Sequence, residues 1–214
     1  MDPLTRQLMM GSLSGLGPIQ YIAGAQNQTS SSSLDISKPA GTAQGDLLIF
    51  VGYTKGGGGT WTQPAGWTEA LDSSGVCVAC YTAGASEGAT YSATATGAKD
   101  WSGFILTFRK AAWDTVGTLS TTQSSNVQTA PEITVASDDS VLLALFACTD
   151  GNRSYSSPSS GLVSTLVDSA ADGGPSLKLY RNESYSGGAS GTKSATASGT
   201  PSNPRALLFS IKPA

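Results

Sequence analysis

Short apolar runs rich in β-branched and aromatic residues recur along the chain, and clusters of Gly, Pro, Asp and Ser break them at short intervals. That alternation predicts strands separated by turns, at the spacing of a β-sandwich. The first half has predicted strands near 20–24, 34–37, 47–54, 68–72, 76–83, 90–96 and 103–109. The second half has them near 118–122, 132–135, 141–149, 163–168, 176–182, 193–197 and 206–212. Two of these, 47–54 and 141–149, are almost wholly apolar and are each introduced by an acidic turn, the pattern of a buried strand.

The two sets form a repeat. Leu34-Asp-Ile36 corresponds to Pro131-Glu-Ile133, with Gln26 and Gln123 in the polar stretches before them. The apolar run from Gly45 to Thr54 matches that from Asp139 to Cys148, and the stretch from Thr60 to Asp72 matches that from Ser154 to Asp168. Both halves close alike, at Ser102 to Lys110 and Arg205 to Lys212. The expected organisation is all-β, sandwich-like or jelly-roll-like, with copies at 18–112 and 113–214. Two separate sandwiches and one fused body both fit.

Residues 1–17 differ from the body. Asp2 and Pro3 suit a helix start and Gly11 a stop, so a two-turn helix is expected, followed by a Gly/Ser linker. Leu4, Leu8 and Met9 share one face, with Met10 beside them, and so short a helix gains stability only by docking. These four are the candidate anchor residues.

Composition narrows the chemistry. Charged residues make up 13% of the 214 residues, Gly contributes 26 and Pro 10, which starves helices and supplies turns. A net charge of −3 offers no cationic surface for nucleic acid. His is absent, which removes the commonest general base and zinc ligand, so neither an enzyme nor a cofactor or metal site is expected. With three Cys and no basic, apolar leader, the expectation is synthesis in a reducing cytoplasm, without membrane insertion.

Individual motifs point mostly to structure. Cys77 and Cys80 lie three apart in a strand, on opposite faces, where they cannot chelate one ion. Asp138, Asp139 and the Asp150-Gly-Asn152 segment have the chemistry of turns. Gly56 to Gly59 lacks the Lys and helix start of a phosphate loop, and the sequons at Asn27, Asn152 and Asn182 carry little weight without a leader. Tyr53, Trp61 and, in the second copy, Tyr155 are candidate contacts for a glycan or protein partner, since exposed aromatics stack on sugar rings. Trp67 is expected to plug one end of the core.

The segments Ile36-Ser-Lys-Pro-Ala-Gly-Thr-Ala-Gln-Gly-Asp-Leu-Leu-Ile49, Pro64-Ala-Gly-Trp-Thr68 and Tyr81-Thr-Ala-Gly-Ala-Ser-Glu87 resemble a group of β-sandwich proteins of tailed bacteriophages and prophages. The opening Met1-Asp-Pro-Leu-Thr-Arg-Gln-Leu-Met-Met-Gly11 is similar to a short head found on phage virion proteins. The sequence departs from the usual pattern where Gly88 rather than proline follows Ser86-Glu87. The resemblance implies a virion structural protein, a tail fibre or spike or a head-surface fibre or decoration component, anchored by its head on other virion proteins and assembled as a homo-oligomer. A carbohydrate-binding module for the host envelope is the alternative.

Overall fold

A computed structural model describes residues 18–56, 58–97, 100–123, 125–169 and 173–214. The first half contains β1 (Gln20–Thr29), β2 (Leu34–Ser37), β3 (Leu47–Thr54), β4 (Trp61–Thr62), β5 (Thr68–Ser73), β6 (Val76–Thr82), β7 (Thr90–Ala95) and β8 (Trp101–Arg109). They form a five-stranded sheet of order β1-β8-β3-β6-β5 and a three-stranded sheet of order β2-β7-β4. Pairs 1·8, 2·7 and 3·6 are antiparallel and fall alternately in the two sheets. This is the jelly-roll-like winding of one long hairpin. The β5–β6 hairpin turns through Ser74 and Gly75, both at positive φ (49° and 81°), the two-residue turn that suits the strand twist.

The second half repeats the winding with β9 (Ala111–Val116), β10 (Val127–Ala130), β11 (Thr134–Val135), β12 (Ser140–Cys148), β13 (Tyr155–Ser156), β14 (Ser164–Ser169), β15 (Ser176–Tyr185), β16 (Gly188–Ala189), β17 (Lys193–Ala197) and β18 (Arg205–Pro213). Its five-stranded sheet, read from the far edge, is β9-β18-β12-β15-β14, and its three-stranded sheet is β10-β17-β13. The short pair β11·β16 is an addition. Even the irregularities recur. A bulge at Tyr21/Ala23 on β1 matches one between Ser210 and Ile211 against β9, and that at Glu69/Leu71 matches Thr165/Val167. Bulges re-aim side chains and set local twist, so their recurrence marks one backbone plan used twice.

Three hydrophobic clusters stack the sheets in four layers. Leu47, Ile49, Val51 and Phe108 of the first copy meet Val141, Leu143, Leu145 and Ile211 of the second between the two large sheets. The other faces of the central strands pack outward: Leu48 and Phe50 under the first small sheet, Leu142, Ala144 and Phe146 under the second. That is why β3 and β12 are buried on both faces and apolar throughout. Each copy is thus its own sandwich, and the two are joined by a continuous core.

Several expectations need correction. β2 corresponds to β10, not to the Pro131-Glu-Ile133 stretch, because Leu34 faces Ala93 as Gln128 faces Ala195. Nor does Gln123 match Gln26. It bonds the main chain of Thr129 as Asn27 bonds that of Asp35. The predicted strand at 118–122 survives only as a bridge from Ser120 to Ala206, and the edge strand is β9, which moves the start of the second copy to Ala111. The helix predicted near the N-terminus, with Leu4, Leu8, Met9 and Met10, lies outside the described residues, and among those described there is no helix.

Candidate functional site

The aromatic platform predicted from Tyr53, Trp61 and Tyr155 does not form, because all three side chains are buried. β4 pairs Trp61 with Ala95 inside the small sheet, so Thr62 points out while the indole turns in over Gly52. Its Nε1 donates to the Gly75 carbonyl at 2.9 Å, and the ring meets Phe50 and Trp101 edge-on. Tyr53 sits between the large sheets with its hydroxyl donating to Asn203 O at 2.7 Å, under the guanidinium of Arg205. Tyr155 lies in the second outer core, where its hydroxyl accepts from Gln128 Nε2 at 3.1 Å. Burial raises the hydroxyl pKa of both tyrosines, so both stay neutral.

Two of the segments singled out in the sequence, 64–68 and 81–87, come together instead. Trp67, following Pro64-Ala-Gly66, stacks on Tyr81 of β6 with centroids 5.5 Å apart and planes 22° from parallel. Tyr91 of β7 meets the same indole edge-on at 5.3 Å. Glu87, at the end of the second motif, accepts from the Tyr91 hydroxyl at 2.9 Å, from the Tyr81 hydroxyl at 3.1 Å and from Gly84 N–H. Partial burial alone would raise the Glu87 pKa, but these three donors and Lys38 outweigh it and hold the carboxyl below its ordinary range. Trp67 is half-buried, and its ring packs against the core through Phe50, as the plug reading expects. Sequence reasoning missed Tyr81, Tyr91 and Glu87 as a group. The signal available was the Tyr and Glu at the two ends of one loop motif.

The second copy lacks this cluster. Trp67, Tyr81 and Tyr91 are matched there by Leu162, Asn182 and Lys193, the last two being fixed by pairing register. The aromatic stack and the carboxylate together fix the 84–87 loop against the core.

The remaining polar motifs are structural. Asp150 accepts from Ser202 N–H at 2.8 Å and pairs with Arg153, and Asp138 accepts from Gly187 N–H at 2.9 Å. Cys77 faces the outer core and Cys80 the core between the large sheets. Desolvation raises the pKa of both thiols and of Cys148. Among the described residues no group of three or more His, Cys, Asp or Glu is placed to hold a metal ion.

No protein-family model and no curated protein matches this chain, so its function must be argued from the site and the fold.

Proposed function

We propose that the chain is a structural component of a bacteriophage particle, a tail fibre or spike or a head-surface fibre or decoration protein, attached through residues 1–17 and displaying the double sandwich. The observation that carries this reading is the convergence of Pro64 to Thr68 and Tyr81 to Glu87 on one hydrogen-bonded aromatic cluster. Two of the segments similar to phage sandwich proteins therefore pack as one unit of this fold.

The physics of the body suits the role. Three cores between four layers, the central one shared by both copies, hold the block together, and its three free thiols need no oxidising compartment. Residues 1–17 join the block at Pro18, beside Tyr21 and Arg181 on the rim of the joint between the copies. A chain without residues 2–17 should unfold at the same temperature as the full chain and be missing from purified particles of the phage or prophage that encodes it. Incorporation at the full-chain level would overturn the anchor.

A further inference from the structure

The joint between the two large sheets has two open ends, and the repeat makes them equivalent. At each end a bulged edge strand presents one aromatic ring: Tyr21 of β1 opposite Phe108, and Trp113 of β9 opposite Ile211. Phe108 pairs with Leu47 as Ile211 pairs with Val141. By the same register Cys80 and Arg181 correspond, being the partners of Ile49 and Leu143. Two residues further along each strand stand Thr82 and Glu183.

The Tyr21 end is plugged. The guanidinium carbon of Arg181 lies 4.7 Å above the Tyr21 ring, and the arginine is held there by Glu183. The crevice left beside them is about 200 Å³. At the Trp113 end the plug is missing from the sequence, because Cys80 and Thr82 replace the arginine and its carboxylate. The crevice is correspondingly larger, about 460 Å³, inside the range of small-molecule sites.

The lining specifies the ligand chemistry. Trp113 is stacked on Phe209 at 6.0 Å and 18°, which fixes the indole as one wall. Leu47, Cys80 and Tyr81 add apolar and aromatic surface, and the exposed Thr68 and Thr82 supply hydroxyls at the rim. No Asp, Glu, Lys or Arg side chain lines it among the described residues, and the main chain of Ala214 closes part of its wall. An anionic ligand would be desolvated with no cation in the lining to pair it. A purely apolar one would make no use of the threonine hydroxyls at the rim. A pyranose ring meets both requirements, with one C–H face for the indole and hydroxyls for the threonines.

We propose that the Trp113 crevice binds a neutral hexopyranose, as a free sugar or as one residue of an oligosaccharide. This does not rest on the virion reading, and it places sugar contact at a site distinct from the buried Tyr53, Trp61 and Tyr155. Cys80 lines the crevice, whereas Cys77 and Cys148 are buried, so Cys80 reports on occupancy.

The test is alkylation of Cys80 in the full chain, followed by mass spectrometry, with and without neutral methyl hexopyranosides and short neutral oligosaccharides at millimolar concentration. Tryptophan fluorescence is recorded alongside. At least one sugar should slow alkylation and shift the fluorescence. The double variant Cys80→Arg, Thr82→Glu rebuilds the plug and should weaken binding by about tenfold or more while keeping the unfolding temperature. Protection by methyl glycosides assigns the site to a single ring, and protection by oligosaccharides alone assigns it to one residue of a chain. Absence of protection by every sugar, or undiminished binding in the plugged variant, overturns the proposal. If the plugged variant does not fold, protection in the unmodified chain decides.

Discussion

The two copies share winding, most of their register and two of their bulges, yet they fill equivalent space with different residues. Gly52 lies under Trp61 in the first copy, and the matching positions in the second hold Phe146 and Tyr155. A Cβ on Gly52 would come within 2.7 Å of the Trp61 ring, so the large indole requires the missing side chain, and the smaller phenol leaves room for a phenylalanine. Asp46, buried and gripped by Arg109 through two bonds of 2.9 Å, closes a turn that Ser140 closes with a hydroxyl bonded to Ser137 O. The outer core that takes Leu34 in one copy takes Gln128 in the other. The backbone plan therefore constrains summed volume and hydrogen-bond closure at each place, not residue identity. Chemistry diverges where those constraints are weakest, at the half-buried Trp67 cluster and at the ends of the joint.

Breaking the Gly52/Trp61 complementarity should have the largest effect. Trp61→Ala empties a buried site and should cost about 3–5 kcal/mol in urea unfolding. Gly52→Phe alone overpacks it, at a cost of roughly 1–3 kcal/mol or more. Because Phe50 also crowds this site and is matched by Ala144, Gly52→Phe combined with Trp61→Tyr and Phe50→Ala imports the second copy's solution and should recover most of that loss. A triple variant no better than Gly52→Phe would show that the group is not an interchangeable unit.

Importing the second copy's turn chemistry with Asp46→Ser should lower the thermal midpoint by less than Trp61→Ala does. Ala43 N–H loses its 2.8 Å acceptor and Arg109 loses its carboxylate, but Arg109 keeps its bond to Gly41 O and already reaches solvent. A midpoint equal to that of the unmodified chain would mean that the ion pair adds nothing beyond what Ser140 achieves.

The smallest effect concerns acid. Glu87 is held below the usual carboxylate value of 4.5, so its contribution to stability is complete above that pH and is lost as pH falls through the lower folded value. Glu87→Gln should flatten this part of the urea midpoint against pH, relative to the unmodified chain. Equal slopes would show that the cluster does not depend on the ionised carboxylate.

Legibility followed strand length and burial. β2, β3 and β17 were predicted to the residue, since alternation or a continuous apolar run marks them directly. β4, β13 and β16 are two residues long and exist only because a neighbour pairs with them, so no local pattern announces them. β10 was missed for a related reason: its buried residues are Gln128 and Ala130, and neither reads as core. Trp61 was misjudged because flanking threonines suggest an exposed strand face, whereas alternation sends the residue between two outward hydroxyls inward.

By itself the sequence determined an all-β chain, used twice, with two central strands apolar enough to be buried on both faces, because strand periodicity and turn chemistry are local. Tertiary structure decided that the copies join through their large sheets, that Trp67 meets Tyr81 and Glu87, and that one end of the joint is plugged while the other stands open. Those outcomes depend on which residues oppose one another across sheets, and pairing across long separations leaves no mark in any single stretch of chain.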